Sequence, residues 1–125
     1  EGEIMIFKDI VNNCINVYPI AEYEKFIRKI YDEDLADNET DLLLDRAISR
    51  AESVQLDKQG RIMIPTRMRD SVGIDKDVLV IGKVVKFEIW TKEAYEAQYG
   101  DDEAVKSAYK NKIEMNKELK LRGLK

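Results

Sequence analysis

The sequence predicts an α+β fold built on two copies of a strand–helix unit, with short peripheral helices and a helical C-terminal tail. Three observations predict it. Apolar residues alternate from Val54 to Ile64 on both sides of Asp57-Lys58-Gln59-Gly60, the pattern of a hairpin with a tight turn. A strand–helix junction occurs twice: Val17-Tyr18-Pro19-Ile20-Ala21-Glu22-Tyr23-Glu24 lines up with Ile89-Trp90-Thr91-Lys92-Glu93-Ala94-Tyr95-Glu96 at a constant offset of 72. Finally, Val105, Tyr109 and Ile113 recur every four residues in a charged C-terminal stretch, with Ala108 beside them, which predicts an amphipathic helix.

The elements follow in order. Ile4-Met5-Ile6-Phe7 reads as a strand and corresponds to Val78-Leu79-Val80-Ile81 with a slightly longer loop after it. Cys14 sits in the next strand-like segment as a small core residue. The acidic stretch from Asp32-Glu33-Asp34 through Asp41 reads as an exposed linker or a helix start. Asn38 can cap a helix whose Leu42, Leu43, Leu44, Ala47 and Ile48 pack on the sheet.

The hairpin comes next. Asp57 can accept backbone N–H groups across the turn, and Gly60 tolerates positive φ, so three loop residues with Gly last fit a type I turn plus G1 bulge. Pro65 stops the second strand, and Thr66 to Val72 reads as a short helix with Gly73 at its C′ position. Thr91 caps a helix ending at Gly100, and Asp101 or Asp102 starts the last one. The stripe on that helix fits packing on the protein's own body or a subunit contact. The end Lys120-Leu121-Arg122-Gly123-Leu124-Lys125 fits a solvated terminus or non-specific phosphate attraction.

Charge is unevenly divided. The chain carries −4 overall; residues 1–48 carry −7, residues 49–102 carry −1 and residues 103–125 carry +4. Against this acidic background the turn and the helix after it gather Lys58, Arg61, Arg67 and Arg69 against Asp57 and Asp70. A local basic cluster on an acidic protein points to an anionic partner more directly than net charge does. Arginine's planar fork suits bidentate contact with guanine or phosphate. A surface ion pair of Arg61 with Asp57 or Glu88 is the structural alternative.

Enzymatic chemistry finds little support. The chain has no His, which removes Ser-His and Cys-His nucleophile systems and His metal sites. It contains no P-loop or G-x-G-x-x-G motif, and its carboxylates form no convincing catalytic pair. The reading is a protein without catalytic residues, metal or cofactor, and with no small-molecule substrate. A hydrophobic content of 44% supports a globular core, and no apolar run is long enough to span a membrane. A single cysteine fits a reduced, cytoplasmic context. The large groups Tyr18, Phe26, Tyr31, Trp90, Tyr95 and Tyr109 read as surplus apolar surface for so small a fold, and so as oligomer contacts.

The ordered series of residues carries a resemblance. Leu56-Asp57-Lys58-Gln59-Gly60-Arg61-Ile62-Met63-Ile64-Pro65, then Met68-Arg69 and Val72-Gly73-Ile74, resembles the AbrB-type (SpoVT-AbrB) transcription factor domain. The continuation Asp77-Val78-Leu79-Val80-Ile81-Gly82, Lys86-Phe87-Glu88-Ile89-Trp90 and Ala94-Tyr95 resembles the second half of the MraZ family. These are bacterial regulators of the division and cell-wall gene cluster. The match is dense from Ala51 to Tyr95.

The resemblance implies an AbrB-like swapped-hairpin β-barrel of two interlocked halves. It divides the chain into a remnant of the first half (1–24), an acidic connecting helical segment (25–50), the second half (51–95) and a helical, basic tail (96–125). The first half's copy of the Asp57–Arg61 turn falls before residue 1, so an N-terminal piece holding it is expected. The resemblance further implies sequence-specific binding of double-stranded DNA at short direct repeats in the promoter of the protein's own operon, by a ring homo-oligomer associated with the nucleoid. Arg61, Lys58 and Gln59 at the tip, supported by Arg69 and Arg67, then contact DNA, while Asp57 and Gly60 build the turn. The alternative class is a protein-interaction module such as an AbrB-like antitoxin.

Overall fold

The structure is a computed structural model that describes residues 2–32 and 37–121. Its elements are β1 (Glu3–Lys8), β2 (Ile15–Pro19), α1 (Ile20–Asp32), α2 (Asp37–Leu44), a wide π-type helical turn (Asp45–Ser49), β3 (Glu52–Gln55), α3 (Thr66–Ser71), β4 (Leu79–Gly82), β5 (Phe87–Trp90), α4 (Lys92–Tyr99) and α5 (Asp102–Leu121). They divide into two compact units, Glu1–Ala94 and Tyr95–Lys125, with the boundary inside α4.

The first unit is organised by the repeat. β1–β2 and β4–β5 are antiparallel hairpins, each followed by a helix, and β2 pairs antiparallel with β5. Met5 lies opposite Tyr18 and Leu79 opposite Trp90. The two hairpins therefore superpose with the 72-residue offset on their second strands, and the longer loop in the first absorbs the difference on the other strand. In the central ladder Ile15 faces Ile89, Asn16 faces Glu88 and Val17 faces Phe87. Repeat-related residues thus pair around Asn16–Glu88, where the pseudo-two-fold axis crosses the sheet.

β3 follows the first repeat's helices and leads into the second repeat, yet it pairs with β1, giving a five-stranded sheet in the order β3-β1-β2-β5-β4. That exchange of a strand between halves is the AbrB-like swapped-hairpin arrangement, and the fold is α+β as the sequence predicts.

Both faces of the sheet's centre are covered. Ile4, Ile6, Ile15, Val17, Val54 and Ile89 lie on one face and pack with Met68 and Val72 around α3. Phe7, Tyr18 and Tyr23, with Met5 and Phe26, form an aromatic layer under α1 on the other. Phe7 stacks on Tyr18 at 5.7 Å and on Phe26 at 5.6 Å between ring centroids. Tyr18 and Trp90 are therefore core residues rather than surface, whereas Tyr31 and Tyr109 stay about 70% exposed. The Tyr23 hydroxyl donates to the Ala47 carbonyl at 2.6 Å and ties α1 to the π-type turn. Ala47 is buried, but Leu42 and Ile48 of the row expected to pack are exposed; at Ile48 the π-type turn breaks the helical period. α2 begins at Asp37, one residue before the expected Asn38 cap.

Helix ends follow the chemistry of their residues. α3 closes with Gly73 at φ 73°, the Gly73 N–H on the Asp70 carbonyl and the Ile74 N–H on the Arg69 carbonyl, a Schellman motif. The Thr91 hydroxyl accepts the Ala94 N–H at 3.0 Å ahead of α4, and the Asp101 carboxylate accepts the Glu103 and Ala104 N–H groups ahead of α5. Val105, Tyr109 and Ile113 form an exposed row along α5. Glu33 and Asp34 of the acidic stretch and the end of the chain from Arg122 lie outside the described residues.

A buried polar network sits at the pseudo-axis. Lys86 Nζ donates to Asn16 Oδ1 at 2.8 Å, lies 3.0 Å from Glu88 Oε2 and 3.9 Å from Asp9 Oδ1. The Asn16 amide donates to Asp9, and the Trp90 indole N–H to Glu88, each at 2.8 Å. Burial works to lower the Lys86 pKa, but the Glu88 hydrogen bond and the charges around it outweigh that and hold it above its ordinary value. Burial likewise works to raise Asp9, and N–H donors from Asn12, Asn16 and Val11 together with Lys86 hold it below. Cys14 beside them is pushed up to about 12 by burial and by the carboxylates of Asp9 and Glu88, so it is an inert thiol.

Candidate nucleic-acid interface

The turn forms as its residues dictate. The Gly60 N–H donates to the Asp57 carbonyl at 3.0 Å and the Asp57 N–H to the Arg61 carbonyl at 2.8 Å, with Gly60 at φ 79°. This is a type I turn with a G1 bulge. The Asp57 carboxylate reinforces it, Oδ1 accepting the Gln59 and Arg61 N–H groups, each at 2.8 Å.

The expected two-stranded hairpin is only half formed. β3 ends at Gln55, and Arg61 to Pro65 enters no ladder among the described residues. Ile62 and Ile64 still turn toward the core while Met63 between them is 82% exposed. The alternation is that of a strand. Its apolar side is satisfied by α3 and the sheet, whereas β3 uses its ladder edge on β1.

Lys58, Gln59 and Arg61 come together at the turn, all exposed. Arg61 Nε donates to Asp57 Oδ2 at 2.8 Å, with the Arg61 side chain 72% exposed. Glu88, the other acid considered for Arg61, is buried with Lys86 and Trp90. The Asp57 carboxyl is held below its ordinary value, chiefly by the Arg61 N–H; desolvation opposes this, and the Arg61 side chain and the Gln59 N–H add to the lowering.

The two arginines of α3 are engaged elsewhere. Arg67 forms a hydrogen-bonded ion pair through Nη2 with Glu52 of β3, an acid outside the local sequence cluster. Arg69 is half-buried. Its Nη2 donates to the Thr66 hydroxyl at 2.9 Å, and its buried Nε has no hydrogen-bond partner. The exposed Lys58 and Arg61 therefore sit at the turn, while the α3 arginines are held by Glu52 and Thr66. The separation between Glu52 and Arg67 in the chain hid that pair. The polar network at the pseudo-axis was also missed, although Asn16 inside the apolar run Cys14-Ile15-Asn16-Val17-Tyr18 and the same-face spacing of Lys86 and Glu88 were signals for it. No helix among the described residues is long and apolar enough to cross a membrane.

Comparison with known proteins identifies relatives. The family model described as "MraZ protein, putative antitoxin-like" matches residues 47–117. The transcriptional regulator MraZ of Nitrosococcus oceani is 32% identical over 124 residues, covering 99% of this chain and 80% of the relative. That of Acetivibrio thermocellus is 30% identical over 114 residues, covering 91% and 80%. The Pseudomonas aeruginosa regulator is 32% identical over 96 residues, covering 77% of this chain and 64% of its own length.

Proposed function

The chain belongs to the MraZ family, and from that premise we propose that it is a transcriptional regulator that binds double-stranded DNA through the Asp57–Arg61 turn. The observation that carries this reading is the turn itself: a backbone fixed by its own hydrogen bonds presents Lys58, Gln59 and Arg61 together to solvent. Arg61 reads base edges, Lys58 and Gln59 contact the groove or backbone, and Arg69 and Arg67 lend positive potential from α3. The targets are short direct repeats in the promoter of the protein's own operon, within the division and cell-wall gene cluster.

One turn is a small footprint. A ring homo-oligomer that displays several such turns raises affinity by effective concentration without new contacts. The exposed row Val105, Tyr109 and Ile113 on α5 supports a subunit contact. On this reading residues 1–24 are a remnant of the first AbrB-like half, 51–95 are the second half, 25–50 connects them and 96–125 is a helical, basic tail. The protein works in the cytoplasm on the nucleoid.

The test is binding of the protein to the DNA upstream of its own gene at several salt concentrations, with a scrambled duplex as control. Preference for the upstream DNA, with affinity falling as salt rises, supports the reading; equal affinity for both duplexes overturns it. Light scattering tests the ring: a strictly monomeric mass at micromolar concentration removes it.

A further inference from the structure

The arginines near the turn use their guanidinium groups differently. Arg67 spends a terminal nitrogen, Nη2, on Glu52, and Arg69 spends Nη2 on Thr66. Arg61 alone of these three is held through Nε, and the described residues leave both of its terminal nitrogens without a hydrogen-bond partner. A guanidinium that grips a carboxylate by the side nitrogen keeps its terminal fork for a second, planar acceptor pair. The exposed Asp57–Arg61 pair is therefore more than a neutralised surface contact.

We propose that Asp57 is a positioning residue for DNA reading, holding the Nε edge of Arg61 so that its two Nη groups meet a guanine edge in the major groove. This rests on the DNA-binding reading above. Asp57 does two jobs with two oxygens. Oδ1 accepts the Gln59 and Arg61 N–H groups and shapes the turn, while Oδ2 accepts Arg61 Nε and aims the side chain. Both anchors of Arg61, backbone and side chain, are on the same carboxylate. The guanidinium is thereby referred to the turn's own frame and gives up little rotamer freedom on binding.

The two jobs can be separated by Asp57→Asn. An asparagine oxygen still accepts the two N–H groups, but its charge is gone and the charge-assisted bond to Nε with it. The full chain carrying Asp57→Asn should melt with the wild type and bind a scrambled duplex at least as tightly, because one negative charge has been removed. Its preference for the upstream DNA should fall about tenfold, the size of one lost bidentate base contact. In an Arg61→Ala background the same substitution should change the preference no further, as expected if Asp57 acts through Arg61. Arg61→Lys tests the geometry from the other side with the turn's hydrogen bonds untouched: charge is kept and preference should be lost.

An Asp57→Asn protein with wild-type preference overturns the proposal, as does a parallel loss on both duplexes, which would make Arg61 a phosphate contact. If Asp57→Asn does not fold, Arg61→Lys decides, and retained preference there overturns the proposal. A wild-type protein with no preference removes the DNA reading and the Asp57 role together; a wild type with preference and an unchanged Asp57→Asn removes only the latter.

Discussion

Two charged clusters in this molecule are built to opposite specifications. At the pseudo-axis, Lys86 is enclosed: Glu88 at 3.0 Å, Asn16 at 2.8 Å, Asp9 at 3.9 Å and the Tyr18 ring beneath it at 5.6 Å. At the turn, Arg61 has one carboxylate and open solvent. Desolvated charges must satisfy one another, so removing one leaves the rest stranded. Exposed pairs contribute little to stability, because water already solvates both partners. The comparison teaches that charge at the centre is used up in contacts between the two hairpins, while charge at the turn is available for a partner.

The largest effect should come from the enclosed cluster. Lys86→Met leaves Asp9 and Glu88 without their shared cation and should cost about 3–5 kcal/mol, read from urea unfolding. A loss below about 1 kcal/mol would erase the contrast with an exposed pair.

Titration probes the same cluster from both sides. Lys86 has a folded pKa raised above 10.5, so its contribution is complete below that value and is lost as pH rises through the raised one. Asp9 has a folded pKa lowered below 3.8, so its contribution is complete above that value and is lost as pH falls through the lowered one. Melting temperature against pH should show a plateau between the Asp9 limb and an alkaline limb that Lys86 shares with Cys14, whose thiol the fold holds protonated up to about 12. Lys86→Met should make the alkaline limb shallower; an unchanged alkaline limb in that variant would assign it to the other groups.

What the sequence made legible was local. The 72-residue offset, the Asp57–Gly60 turn, the Gly73 terminus and the Thr91 and Asp101 caps each depend on residues within a few positions of one another. What it concealed needed distant partners. Asn16 and Lys86 are 70 residues apart and meet because β2 pairs with β5. Arg67 belongs to the local basic cluster in the sequence, and only the fold brings Glu52 of β3 to it. Arg61 to Pro65 has strand-like alternation, but alternation specifies which side is apolar and not whether a ladder partner is present. Trp90 looked like surface surplus because composition does not reveal that β5 is covered on both faces.

A smaller loss of stability is expected at the turn's backbone. Gly60 sits at φ 79°, with nothing within 4 Å of where a Cβ would stand, so a substitution there meets torsional strain and no clash. Gly60→Val should cost about 1–3 kcal/mol, because a β-branched residue resists the left-handed region. Equal stability by denaturant unfolding would mean that the turn rearranges freely, and a freely rearranging turn could not aim Arg61.

The smallest effect on folding, and the sharpest test of the contrast, belongs to Arg61→Ala. The side chain is mostly in water and its pair with Asp57 is exposed, so the melting temperature should stay at the wild-type value. The turn keeps the Asp57 contacts to the Gln59 and Arg61 N–H groups, since these use backbone donors that alanine retains. Binding to the upstream DNA should nevertheless weaken by roughly 5- to 150-fold, corresponding to about 1–3 kcal/mol for one bidentate base contact, and by more in a ring that repeats the loss. Assembly, read by light scattering, should be unaffected, because the subunit contact is proposed on the apolar row of α5 and does not use the Arg61 side chain. Lys86→Met and Arg61→Ala would then separate cleanly, the first losing stability and binding together, the second losing binding alone. An Arg61→Ala protein that melts several degrees lower would place Arg61 with Lys86 among the residues that hold the fold.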